Sequence, residues 1–287
     1  MPFLNKLTLK IHCWGGLGSQ LLALNYYLRV QELYPRKRII LVLHTGGITA
    51  RNSEIDFLSN KINLLKVDDY RAGSNDKQSH TTDSNSIFNF VKASIKSLAN
   101  YFRFVITDDK RVLKVKFWTL SVRCTYTSNV LRKQDIVHMA DILGITSNSL
   151  EKNFIGVHYR MGDLPSLKPS ALVPLDSISK IVNDLIKAGT VIDKVMIYSD
   201  SIVENSNLQL PREIDSEWKS VDTLQTISEL SKTKYFIGTS SKVSLWIAIF
   251  RLGLAVPGSI YLPVNIASNL NHLIDLDKKN FSSIFKY

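Results

Sequence analysis

Leu7-Thr8-Leu9-Lys10-Ile11-His12-Cys13, followed by Trp14-Gly15-Gly16-Leu17-Gly18-Ser19-Gln20, decides how the start of the chain folds. The first seven residues alternate and are β-rich, and the glycines then break the strand. From residue 19 to residue 34 the apolar residues return at helical spacing, and Pro35 ends the run. Residues 38–44, rich in Ile, Leu and Val, read as a second buried strand. Strand, glycine turn, helix and strand make a βαβ unit, which predicts a parallel sheet.

The same alternation recurs further on. Strands are expected at 154–159, 194–198 and 235–238, and helices at 175–188, 221–231 and 242–252. An alternating strand at 114–127 and a helix at 129–143 ending at Gly144 complete the first half. The fold class is therefore α/β, with two Rossmann-like domains facing a cleft, residues 1–147 and 148–287. Residues 68–86, polar and rich in Ser, Thr and Asp, read as a loop insertion, and 87–104 as a basic amphipathic helix.

Composition narrows the classes. The chain has 287 residues, 45% hydrophobic and 21% charged, as an ordinary globular protein does. Its two cysteines, Cys13 and Cys124, are too few for a disulfide framework or a zinc site. The first residues lack a signal peptide's apolar stretch, and Ile39-Ile40-Leu41-Val42-Leu43 is too short to cross a bilayer, so a cytoplasmic protein is expected. The net charge is +11, and residues 1–147 hold 21 Lys and Arg against 11 Asp and Glu, whereas 148–287 hold 15 against 14. That asymmetry suits an anionic partner of the first half, such as a membrane surface, a lipid diphosphate, a charged glycan or a nucleic acid, or equally a solvated surface. Without an RNA-binding or helix-turn-helix signature, a basic nucleic-acid-binding protein is the weaker alternative, and nucleic acid is not an expected partner.

The turn Gly15-Gly16-Leu17-Gly18 has neither dinucleotide-binding nor P-loop spacing, so it serves either as a tight structural turn or as a backbone cradle for a phosphate or sugar. A second polar cluster stands at a strand end: His158-Tyr159-Arg160-Met161-Gly162-Asp163. Arg160 carries a fork of donors that matches phosphate oxygens, and Asp163 would hold Arg160 or act as a base. Asp200, after Tyr198-Ser199, reads as the cap of a following helix. Asp-x-Asp, a metal-holding signature, occurs only as Asp275-Leu276-Asp277, so no metal is expected.

Three stretches in order, Gly15 to Gln20, His158 to Asp163 and Tyr235-Phe236-Ile237-Gly238-Thr239-Ser240-Ser241-Lys242-Val243-Ser244-Leu245-Trp246, resemble the bacterial α-1,2-fucosyltransferases and the wider GT-B fucosyltransferase superfamily. The resemblance implies an inverting, metal-independent transfer of fucose from GDP-fucose to a hydroxyl of a glycan acceptor. That acceptor would belong to bacterial surface polysaccharide or O-antigen synthesis, and the basic surplus of the first half, by its charge alone, would suit a glycan on a lipid diphosphate at the inner membrane face. It assigns donor contacts to Gly15, Gly16, Gly18, Gln20, His158, Arg160, Asp200, Thr239, Ser240 and Ser241, with Arg160 on the diphosphate. No cofactor is implied. Arg160 and Asp163 are the catalytic candidates, with Glu54 and Asp56 as rival bases. Met161 stands where the α-1,2 enzymes carry a second arginine and Ser19 where they carry Asn, which opens a different nucleotide-sugar donor as the alternative.

Overall fold

The computed structural model describes residues 8–45, 53–67, 112–116, 119–123, 130–146, 153–162, 169–201, 208–275 and 283–287. Asp163, the loop expected at 68–86 and the basic helix expected at 87–104 lie outside these residues. Contacts divide the chain into two compact units, Met1–Val130 and Leu131–Tyr287.

The first unit is built on β1 (Thr8–Trp14), α1 (Leu17–Leu33), β2 (Ile39–His44), β3 (Leu64–Val67), β4 (Val112–Lys116) and β5 (Thr119–Arg123). The strands lie in the order β3-β2-β1-β5-β4. All pairings are parallel except β4 with β5. This is the βαβ start read from the sequence. The single strand expected at 114–127 is instead two antiparallel strands. Along β1, Leu9, Ile11 and Cys13 are buried while the residues between them are partly exposed, the period of two that a strand imposes. Helix α1 is apolar nearly all round, and its buried set runs from Leu17 to Val30. Its Tyr27 hydroxyl accepts the Asn63 N–H at 3.1 Å, tying the helix to the approach of β3.

In the second unit the order is β6 (Leu131–Arg132), α2 (Lys133–Leu143), β7 (Phe154–Tyr159), α3 (Leu175–Lys187), β8 (Lys194–Ser199) and β9 (Asp215–Lys219). There follow α4 (Thr223–Leu230), β10 (Tyr235–Gly238), α5 (Lys242–Gly253), β11 (Ser259–Leu262), α6 (Val264–Leu273), β12 (Ile274–Asp275) and β13 (Ile284–Lys286). Six strands, β13-β11-β10-β7-β8-β9, make a wholly parallel sheet. Parallel sheets bury both faces, and the near-continuous apolar strands reflect it. Ile155, Val157 and Tyr159 pack with Ile178, Val182 and Leu185 of α3, which leaves Gly156 and His158 on the opposite face. The expected α/β class holds in both units.

The sequence places a boundary at 147, whereas α2 groups with the second unit. Packing explains this: a Cβ on Gly253 of α5 would lie 2.3 Å from Ile136 Cγ2 of α2, so the glycine lets the two helices meet. Near the same end of α5, Arg251 is fully buried. It donates through Nη1 to the Thr233 carbonyl and through Nη2 to the Lys234 carbonyl, the latter at 3.1 Å. Burial lowers its pKa to about 9.

Candidate active site

Strands β7, β8 and β10 are neighbours in one parallel sheet, and their C-terminal ends deliver polar residues to one edge. From β7 come His158 and Arg160, from β8 Asp200, and from β10 Thr239. Helix α5 starts there, with Ser241 as its N-cap.

Thr239 joins two strands. Its hydroxyl donates to the His158 carbonyl at 3.0 Å and accepts the Arg160 N–H at 3.0 Å. Its own N–H donates to Ser244 Oγ at 2.9 Å. Ser241 Oγ accepts the Ser244 N–H at 3.0 Å, which satisfies one orphan amide of the first helical turn. The His158 ring closes the network, with Nδ1 2.7 Å from Ser244 Oγ and 3.3 Å from Ser241 Oγ. Burial, and then the neighbouring Arg160, pushes the His158 pKa down to about 3, so the imidazole is neutral at ordinary pH. Below the cluster the Tyr287 hydroxyl donates to the Gly238 carbonyl at 2.6 Å.

Asp200 fastens the loop that carries Arg160. Its Oδ1 accepts the Met161 N–H at 2.9 Å, and its Oδ2 lies 3.5 Å from Arg160 Nε. Gly162 has φ +30°, and a Cβ there would fall 2.3 Å from Asp200 Oδ2. Only glycine both tolerates that conformation and leaves space for the carboxylate. Neither sequence reading of Asp200, recognition group or helix cap, includes this contact. The task of organising Arg160, read for Asp163 in the sequence, is performed among the described residues by Asp200 and Thr239.

The other candidates belong to the first unit. Gly15 has φ +109° and Gly16 is the N-cap of α1. Gln20 braces the turn: its Nε2 donates to the Gly15 carbonyl at 3.1 Å and its Oε1 accepts the Glu54 N–H at 3.0 Å. The Glu54 carboxylate in turn accepts the Leu17 N–H, the first amide of α1, at 3.1 Å. Gly18 is buried in the first turn of that helix. One of the amides that a phosphate would use is therefore already held by a carboxylate of the chain. Asp56, the other rival base, pairs with Lys66 at 3.0 Å on the surface. Beside the turn, His12 Nδ1 lies 2.8 Å from His44 Nε2, and Trp14 stacks on His44 with centroids 4.1 Å apart. Burial, then His44 and Lys10, lowers the His12 pKa to about 4.

Within the second unit the structure brings His158, Arg160, Asp200, Thr239 and Ser241 into one hydrogen-bonded cluster, and Ser240 adjoins it at the helix entrance with a half-buried side chain. Sequence reasoning missed Ser244, the hub of that cluster. Its signal is the spacing Ser241-x-x-Ser244 at the start of an apolar helix, where the third residue of a helix meets the cap. Among the described residues no three His, Cys, Asp or Glu side chains gather in a way that could hold a metal ion, and no helix is long and apolar enough to cross a membrane.

No protein-family model matches the sequence, and no curated protein matches it. By coordinates the chain is similar to the E. coli heptosyltransferase WaaC with ADP, at 9% identity, over 90% of this chain and 87% of that one, with a TM-score of 0.43. It is similar to a glycosyl transferase family 9 protein from Veillonella parvula, at 11% identity, over 90% and 81%, with a TM-score of 0.46. The E. coli ADP-heptose lps heptosyltransferase II aligns at 12% identity over 90% and 84%, with a TM-score of 0.43.

Proposed function

We propose that this chain is a GT-B-like glycosyltransferase that takes its sugar from a nucleotide-sugar donor, with Arg160 at the donor's diphosphate. One observation carries the reading. A guanidinium, held by Asp200 and by a backbone anchored on Thr239, stands at the C-terminal edge of a parallel sheet beside a hydroxyl-lined helix start. That is an arrangement for stabilising an anion that leaves.

On this reading the acceptor hydroxyl oxygen bonds to the anomeric carbon, the bond from that carbon to the diphosphate oxygen breaks, and configuration inverts. The nucleoside diphosphate leaves with the electron pair toward Arg160, and the hydroxyl proton goes to a carboxylate base. Charge on the leaving group is met by Arg160 and the hydroxyl-lined start of α5, so the step proceeds without a metal. Fucose from GDP-fucose is the first donor to test, and a glycan, lipid-linked at the inner membrane face, is the acceptor class. The second reading keeps the reaction and changes the donor, because Met161 fills the place of a second arginine.

Incubation with GDP-fucose and with other GDP-, ADP- and UDP-sugars, scored by release of free nucleotide, tests both. One donor is expected to turn over, and Arg160→Ala to lower that turnover by about two orders of magnitude, the usual effect of removing one stabilising donor. Unchanged turnover in a folded Arg160→Ala protein would sink the proposal. Equal binding to anionic and neutral vesicles at low salt would remove the membrane from it.

A further inference from the structure

The hydroxyl of Ser244 lies among three polar partners, and counting protons around it decides which nitrogen of His158 carries hydrogen. A serine hydroxyl gives one proton and receives at two lone pairs. The Thr239 N–H takes one lone pair at 2.9 Å, and the Ser241 hydroxyl approaches the other at 3.3 Å. The third contact, to His158 Nδ1, is the shortest at 2.7 Å. That length is typical of an O–H donor, whereas N–H donors sit at about 2.9–3.0 Å. Ser244 therefore donates to Nδ1. The reverse arrangement, Nδ1–H into Ser244, would leave the Ser244 proton only the 3.3 Å contact to a Ser241 oxygen that already receives the Ser244 N–H.

An imidazole that stays neutral at ordinary pH and accepts at Nδ1 must carry its proton at Nε2. Among the described residues the hydrogen bonds of the ring are all made at Nδ1, which leaves the Nε2 proton for a ligand.

We infer that Ser244 is a positioning residue that locks His158 as the Nε2–H tautomer, so that the ring offers one uncharged donor to an oxygen of a diphosphate beside Arg160. The diphosphate rests on the function proposed above; the tautomer does not. A ring fixed in this way takes no proton from an acceptor hydroxyl, so His158 is a donor of a hydrogen bond and not the base. It also prefers acceptor oxygens over N–H groups on whatever binds.

Long-range proton–nitrogen correlation spectra of the 15N-labelled full chain near neutral pH read the tautomer directly. The wild type is expected to show the Nε2–H pattern for His158, Ser244→Thr to keep it, and Ser244→Ala to shift the ring toward the Nδ1–H form. A wild-type Nδ1–H pattern overturns the inference even if Ser244→Ala fails to fold, and an unchanged pattern in a folded Ser244→Ala removes Ser244's role. Inorganic pyrophosphate is the second probe. It is expected to shift the Nε2–H resonance and to bind about tenfold more weakly to Ser244→Ala than to Ser244→Thr. An Nε2–H ring that responds to neither pyrophosphate nor any nucleotide in the panel overturns the diphosphate part and the proposed function with it, and leaves the tautomer standing.

Discussion

At the start of α1 the first helical amide is held by a carboxylate from elsewhere in the chain, Glu54, whereas at the start of α5 the orphan amide is held by the helix's own hydroxyl, Ser241. Both places are strand, turn and helix, and both carry the small polar residues that make an anion site plausible from sequence. The difference lies in charge. A carboxylate answers the positive end of the α1 dipole and leaves the turn carrying an acid. A hydroxyl satisfies one α5 amide without cancelling the dipole, and Arg160 adds a positive charge beside it. An anion is favoured at the second junction and disfavoured at the first.

The largest expected break in that contrast is Gly162→Ala. It drives a methyl group into Asp200 and strains a backbone at φ +30°. About 1–3 kcal/mol of stability should go, and nucleotide affinity should drop about tenfold as Arg160 loses its seat. Thermal melting and nucleotide titration measure the two. Next is Glu54→Ala, which should cost about 1 kcal/mol through the lost amide bond and dipole charge. Glu54→Gln, keeping the acceptor oxygen, should recover most of it, and neither change should weaken nucleotide binding. Turnover lost equally in Glu54→Gln and Glu54→Ala, with melting preserved in the former, would instead identify Glu54 as the base.

Acid separates the two junctions more finely. His158 and His12 have pKa values lowered to about 3 and about 4 by burial, against 6.5 for an exposed histidine. Below pH 6.5 the unfolded chain binds protons that the folded one refuses, so stability is complete above that pH and falls as pH drops toward those values. Each histidine should contribute on the order of 1 kcal/mol per pH unit across that window, somewhat less for the more accessible His12. His158→Asn should remove one such slope and His12→Asn the other, as melting curves between pH 6.5 and 4 would show. The smallest effect belongs to Asp56→Asn: its pair with Lys66 is half exposed on both sides, so stability should change by under about 0.5 kcal/mol. A collapse of turnover in that variant would make Asp56 the base.

The sequence disclosed these junctions unevenly. Strands β7 and β10 and helix α5 were legible because a parallel sheet buries both faces and leaves an unbroken apolar run, and because a buried helix repeats at its own period. Strand β9, Asp-Ser-Glu-Trp-Lys, was not: it is the edge of its sheet, and its partly exposed polar residues carry no strand pattern. The boundary read at 147 differs from the contact division for a related reason. Helix α2 belongs to a partner more than a hundred residues away, and no local composition change announces that contact. Arg160 was legible by type and position. Asp200 was legible as a strand-end acid, but its partners lie about forty residues upstream, and Glu54's amide lies in a turn that precedes it by a similar distance. Ser244 sits within an apolar helix, and its contacts with Thr239 and His158 lie at strand ends that local sequence does not connect to it.

Arg251 gives these observations a mechanical reach. It pins the approach to β10 at one end of α5 while Ser244 holds Thr239, just past the end of β10, at the other, and about seven residues of helix separate the two fastenings by about 10 Å. Strand and helix thus form a rigid calliper whose jaws are set from the far end. A substitution such as Arg251→Met, remote from any bound sugar, would be felt as a change of gap at Thr239 and His158.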